Sequence, residues 1–115
     1  MTPKQNKTIH RVISIFGERN QKMQTIEELQ ELQTAIFENV HRGTDNRKNI
    51  VEEIADVEIM ICQLKEIYSI DQKELEDVKE YKLNRLDHTI EKYLNKNNQN
   101  DNNIVMIDRQ TSNGR

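Results

Sequence analysis

Apolar residues recur along the chain at the three- and four-residue spacing of amphipathic helices. This spacing predicts four helices, at roughly residues 4–16, 19–41, 50–69 and 72–95. The clearest loop is HRGTDNRKN at 41–49, where Gly, Asp and Asn occur together. Three glycines and one proline leave few helix breaks, and two Phe, three Tyr and no Trp give little strand character. We therefore expect an all-α fold.

The longer predicted helices each have one main apolar stripe, which we expect to face the core. The stripe of the second helix consists of Ile26, Leu29, Leu32, Ile36 and Val40. That of the third consists of Ile50, Ile54, Val57, Ile61, Leu64 and Tyr68. A second apolar set lies on the rear of the third helix, in Val51, Ala55, Ile59 and Cys62. Because a chain of this size has difficulty covering both faces, we expect a homodimer or homotetramer.

Carboxylates lie in or beside two of these stripes, where their burial is costly unless a cation pairs with them. Glu53 lies within the apolar face of the third helix, and Asp56 follows one turn later at its edge. Glu28 and Glu31 repeat this arrangement on the second helix. The two pairs predict a cation site between the helices.

Each acidic motif also has an ordinary structural explanation. Thr25 with Glu28, and Asn49 with Glu52, have the spacing of a capping box at a helix N-terminus. Acidic residues are also favourable at helix starts because of the helix dipole. Lys82, which lies within the apolar stripe of the fourth helix, is by itself typical of a snorkelling side chain. Each of these structural explanations remains possible when its motif is considered alone.

Taken together, the charges indicate phosphoryl chemistry. Carboxylates without His or Cys partners suit Mg²⁺ or Mn²⁺ rather than zinc. Magnesium held in this way keeps coordination positions open for phosphate oxygens and water. Lys82 and Arg85 on the fourth helix would neutralise more of a polyphosphate. The combination predicts attack on a phosphate by metal-activated water.

Composition narrows the classes of partner and compartment. The net charge of −3 provides no overall attraction to nucleic acid or to an anionic membrane. No apolar stretch approaches the length of about 20 residues that spans a bilayer. Cys62 is the single cysteine, so it forms no internal disulfide, and we expect it to be buried. We predict a cytoplasmic protein without nucleic-acid or membrane partners.

Two acidic motifs in this order resemble a known signature. EELQE at 27–31, followed by EIAD at 53–56, is similar to the EExxE…ExxD signature of MazG-like nucleoside triphosphate pyrophosphohydrolases. The flanking sequence of both motifs and KLNRL at 82–86 also resemble this family, and the similarity covers about residues 9–95. The resemblance implies a four-helix-bundle fold completed by dimerisation or tetramerisation. It implies Mg²⁺-dependent hydrolysis, with Mn²⁺ as a substitute, of a (deoxy)nucleoside triphosphate to the monophosphate and pyrophosphate.

The resemblance also implies roles for individual residues. The metal ligands would be Glu28, Glu31, Glu53 and Asp56. The catalytic carboxylates would be Glu27 and Glu53, with Glu27 either positioning the attacking water or supporting the start of the helix. Lys82 and Arg85 would contact the substrate phosphates. Base recognition is unassigned: His10, Phe16 and Gln21 are candidates, although ordinary packing also accounts for His10 and Phe16.

The expected domain organisation is a helical domain at 1–95 and a polar, Asn-rich tail at 96–115. The tail's composition cannot support a core, so we expect it to be disordered, and its short IVMI segment at 104–107 is a candidate docking motif. Two alternative functions remain open at this point. One is a related pyrophosphohydrolase acting on phosphoribosyl-ATP, and the other is a non-catalytic helical interaction module.

Overall fold

A computed structural model describes the backbone of residues 1–103 and the side chains of residues 1–99, and it is helical. The four helices are α1 (Pro3–Phe16), α2 (Glu18–Arg42), α3 (Arg47–Ile67) and α4 (Gln72–Asn103). No strand occurs in the described part of the chain. The prediction of an all-α fold is therefore confirmed. The first three helices form one compact unit, Met1–Asp71, and α4 begins a second unit at Gln72.

Local chemistry explains where the first helices begin and end. Thr2 caps α1 with a complete capping box: its Oγ1 accepts from the Gln5 backbone N–H, and Gln5 Oε1 accepts from the Thr2 N–H. Only Gly17 separates α1 from α2, at a φ of 93° that favours glycine. Gly43, at φ 65°, ends α2 in the left-handed conformation. The break that the sequence predicts between the first two helices, at about residues 17–18, is thus the single residue Gly17.

The predicted end of the fourth helix at about residue 95 is wrong. α4 continues to Asn103, so the first part of the stretch that we expected to be disordered is helical. Neither Gly nor Pro occurs in 72–103 to stop the helix, and asparagine costs only a fraction of a kcal/mol per residue. The rest of the predicted tail, including IVMI at 104–107, lies outside the described residues.

The contact between α2 and α3 uses a small and polar face. The four-residue connection at 43–46 makes these helices an antiparallel hairpin. Ala35 on α2 is only 2% exposed, and its small side chain permits close approach. The buried residues of the hairpin are Gln21, Thr25 and Ala35 on α2, and Val57, Met60 and Gln63 on α3. From α1, Ile9 and Ile13 complete the core.

Within one chain, the expectation that the main apolar stripes face the core is wrong for much of their length. Leu29, Ile36 and Val40 of α2 are 49%, 47% and 66% exposed. On α3, Val57 is buried, whereas Ile54 and Ile61 are exposed. Cys62 is half-buried rather than buried. The hairpin therefore closes on its small and polar side and keeps a broad apolar surface available.

A side-chain hydrogen bond of Asn46 joins the start of α3 to α2, and its removal provides a stability test. The Nδ2 of Asn46 donates to the Ala35 carbonyl at 3.0 Å, in a part-buried position. We expect Asn46→Ala to lower the free energy of unfolding by about 1 kcal/mol, because it removes a part-buried hydrogen bond between the start of α3 and α2. The matched control is Asn39→Ala, which removes an exposed bond to the Thr44 carbonyl and should cost less. Urea denaturation measures both, and equal losses would contradict a special role for Asn46.

Candidate metal centre

The structure excludes the capping-box explanation of the acidic motifs. Thr25 and Glu28 lie well inside α2, and Asn49 and Glu52 lie inside α3. A capping box needs its first residue in front of the helix, so neither pair forms one. Gln24 instead donates from Nε2 to Glu28 Oε2 at 2.8 Å, which holds the Glu28 carboxylate in place. Sequence reasoning missed this partner, although the spacing of Gln24 and Glu28 by four residues signals it.

Three of the predicted ligands converge across the hairpin. Glu28, Glu53 and Asp56 each offer one carboxylate oxygen, and these oxygens lie within 4.8 Å of one another. Glu28 and Glu53 are half-buried, and Asp56 is exposed. In octahedral Mg²⁺, opposite ligand oxygens lie about 4.2 Å apart. Adjacent ligand oxygens in that octahedron lie only about 2.9 Å apart, and at least two of the three pairs must be adjacent, so the side chains would have to move closer together to share one ion.

Two oxygens of this cluster have unmet bonding capacity. Glu28 Oε1 and Glu53 Oε1 are both buried and accept no hydrogen bond from the described residues. A buried anionic oxygen without a donor or cation carries a desolvation cost. A hard divalent ion would relieve that cost at both atoms. The donor set, all carboxylate oxygen, thus fits the chemistry of Mg²⁺.

The electrostatics of Glu53 agree with this placement. Desolvation by burial is the main cause that raises the pKa of Glu53 above its ordinary value, followed by the negative charges of Glu31, Asp56, Glu28 and Glu52. Both effects disfavour the ionised carboxylate. A bound cation acts in the opposite direction and favours ionised Glu53.

The other predicted site residues are not among the three converging carboxylates. Glu31 is exposed and is not among the three converging residues, although its charge acts on Glu53. Glu27 is exposed on α2. Lys82 and Arg85 are exposed residues of α4, in the second unit, where the Arg85 guanidinium lies 5.7 Å from the centre of the Tyr81 ring. The roles assigned to these four residues stay predictions.

Comparisons with other proteins were made by family, by sequence and by structure. No family model, curated protein or solved structure matches this chain. In the described part of the chain, no helix combines the length and the apolar character needed to cross a membrane. The geometry of the carboxylate cluster is therefore the main structural observation that bears on function.

Metal binding is directly measurable as stabilisation. An ion that binds the cluster in the folded hairpin would relieve the repulsion there, so we expect Mg²⁺ to raise the melting temperature. At a Mg²⁺ concentration of 100 times the dissociation constant, the free energy of unfolding should rise by about 2.7 kcal/mol. NaCl at equal ionic strength controls for screening of the charges. The double variant Glu28→Gln/Asp56→Asn should lose the gain, and an equal gain in that variant would place the bound ion elsewhere.

Proposed function

We propose that the protein is a Mg²⁺-dependent nucleoside triphosphate pyrophosphohydrolase. It hydrolyses a (deoxy)nucleoside triphosphate to the monophosphate and pyrophosphate, in nucleotide-pool control or house-cleaning in the cytoplasm. The observation that carries the proposal is the convergence of Glu28, Glu53 and Asp56, with two buried oxygens left for a cation. The resemblance of EELQE and EIAD to the MazG-like signature supports the same reaction.

Each residue of the carboxylate cluster has a role in the proposed reaction. Glu28, Glu53 and Asp56 would hold Mg²⁺, and Glu31 adds negative charge beside Glu53. When bound, the ion would neutralise charge on phosphate oxygens and lower the pKa of water. Water adds to the α-phosphorus and its proton is released to solvent. The bond from the α-phosphorus to the bridging oxygen of the β-phosphate breaks, and pyrophosphate leaves with the bonding electron pair. Gln24 orients Glu28 through its hydrogen bond, which keeps that ligand in position.

Two further groups of residues support the reaction in this proposal. Glu27 positions the attacking water or supports the local helix. Lys82 and Arg85 neutralise the triphosphate, as the resemblance of KLNRL implies. The chain acts as a homodimer or homotetramer, and the support for this assembly is the apolar surface that Leu29, Ile36 and Val40 leave exposed.

Pyrophosphate release tests the proposal. A panel of canonical and modified NTPs and dNTPs, with phosphoribosyl-ATP included, is incubated with the protein in Mg²⁺ and in EDTA. We expect release from one or a few nucleotides in Mg²⁺ and none in EDTA. The double variant Glu28→Gln/Asp56→Asn, purified in the same way, controls for contaminating hydrolases. Release from phosphoribosyl-ATP alone would favour the related pyrophosphohydrolase. No release from any substrate by folded protein would favour the interaction module.

A further inference from the structure

The face that carries the metal cluster continues as a buried polar seam. Gln21 lies seven residues before Glu28 on α2, and Gln63 lies seven residues after Asp56 on α3. Seven residues are close to two helical turns, so each glutamine lies on nearly the same face as its carboxylate. Because the helices are antiparallel, both glutamines lie toward the same end of the hairpin. Gln21, Thr25 and Gln63 are all buried.

Gln63 is the residue of this seam that packing does not explain. It is 3% exposed, yet its Oε1 accepts no hydrogen bond from the described residues. Its Nε2 contacts only a weak acceptor, Met60 Sδ, at 3.7 Å. A buried amide oxygen without a donor lowers stability through its desolvation, whereas an apolar side chain of similar shape has no such cost. The amide oxygen therefore has capacity for a hydrogen-bond donor beyond those that the described residues supply.

We propose that the Gln63 amide is a nucleobase subsite, which hydrogen-bonds the base of the nucleotide whose phosphates lie at the carboxylate cluster. This inference rests on the proposed function. Gln63 lies about 10 Å along the α3 axis from Asp56, a span that a sugar and a base can bridge. A primary amide offers an acceptor and a donor side by side, which matches the paired donor and acceptor on a base edge.

α1 packs near the end of α3 that carries Gln63. This helix reaches the same end of α3, where His10 Nδ1 lies 2.6 Å from Glu66 Oε2, one turn beyond Gln63. The pair is exposed, so it resists separation only weakly. Because Gln63 is buried, a base would reach its amide only after a local rearrangement, and we place that rearrangement at α1, which Gly17 alone joins to α2.

The test is Gln63→Met, compared with the exposed control Gln33→Met on α2. Two kinds of probe are titrated with Mg²⁺ present: tripolyphosphate, which has no base, and the α,β-imido analogues of the four dNTPs and of dUTP. We expect tripolyphosphate to bind wild type and both variants equally. We expect Gln63→Met to bind the preferred nucleotide at least about tenfold more weakly. Its melting temperature without ligand should be equal to or above that of wild type, because the unpaired amide is gone.

The outcomes separate this inference from the proposed function. If Gln63→Met binds every nucleotide as wild type does, the subsite is overturned while the metal and phosphate site stands. If neither tripolyphosphate nor any nucleotide binds wild type, both proposals fail. If Gln63→Met melts below wild type, Gln63→Asn decides the question, because it keeps an amide but withdraws it by one methylene. Loss of nucleotide preference in Gln63→Asn supports the subsite, and unchanged preference overturns it.

Discussion

Glu53→Gln is expected to lower pyrophosphate release at least 100-fold while raising the melting temperature of the metal-free protein. The substitution keeps the shape of the side chain but removes one of three converging carboxylates. Because changes in residues that only support metal ligands already cost 10–100-fold, loss of a ligand charge should cost more. In the metal-free protein the substitution should raise the melting temperature, because the Glu53 carboxylate lies beside the negative charges of Glu31, Asp56 and Glu28. Removing its charge relieves that repulsion.

The same substitution changes the pH dependence of stability. The pKa of Glu53 is raised in the folded protein above its ordinary value of 4.5. Its contribution to stability is thus fully present below pH 4.5 and is lost as the pH rises through the higher folded-state pKa. Metal-free wild type should gain stability relative to Glu53→Gln as the pH falls from 7 toward 5. Differential scanning calorimetry at several pH values, with and without Mg²⁺, measures this.

Glu58→Gln is the matched control for both effects. Glu58 is an exposed residue of the same helix, so its substitution makes the same change in net charge away from the cluster. It should keep activity and the pH profile of wild type. If Glu53→Gln is fully active, the metal-site assignment is wrong. If Glu58→Gln raises the metal-free melting temperature equally, general charge repulsion rather than the cluster explains the gain.

Ile36→Glu is expected to convert the assembled protein to monomers. Ile36 is 47% exposed in a single chain, so in a monomer the substitution would change stability by no more than about 0.5 kcal/mol. In an oligomer that buries this surface, the new carboxylate would be placed unpaired in an apolar interface, at a cost of several kcal/mol. Analytical ultracentrifugation at micromolar concentration should show a dimer or tetramer for wild type and a monomer for Ile36→Glu.

Thr34→Glu is the control for this second prediction, because Thr34 lies on nearly the opposite side of α2 from Ile36. It introduces the same charge on an exposed polar position of α2 and should leave the assembly unchanged. A wild-type monomer at micromolar concentration would contradict the proposed assembly. An intact oligomer in Ile36→Glu would place the interface on another apolar face, of which the set around Ile59 on α3 is the next to test.

Periodicity predicted the helices well because helical spacing is a local property. The number of helices and the starts of α2 and α4 needed only neighbouring residues. The inner face did not follow from hydrophobicity, because the closeness of approach at Ala35 decides which sides of α2 and α3 meet. The end of α4 was also misjudged, since polar composition alone does not stop a helix that contains no Gly or Pro.

Helical spacing, which is a local property, also made part of the candidate site predictable. The helical-wheel position of Glu53 placed it inward, and the structure brings it to Glu28 and Asp56. Glu31 has the same spacing from Glu28 as Asp56 has from Glu53, yet it is not among the three converging residues. Which carboxylates meet depends on the register of the two helices, and register depends on contacts across the hairpin rather than along one helix. Gln63 was missed because a polar residue in an apolar run gives no signal of its burial.

The short connection between α2 and α3 has a consequence for the order of folding. Glu28, Glu53 and Asp56 all belong to one helical hairpin, so the cluster requires only contacts between segments close in sequence. Such contacts form early, because little chain entropy is lost in closing a short loop. The approach of α2 to α3 also brings the negative charges of the three carboxylates together. At neutral pH their repulsion opposes this approach. Mg²⁺ would therefore accelerate refolding as well as stabilise the product, and the ion would act on the nascent hairpin before α1 is in place.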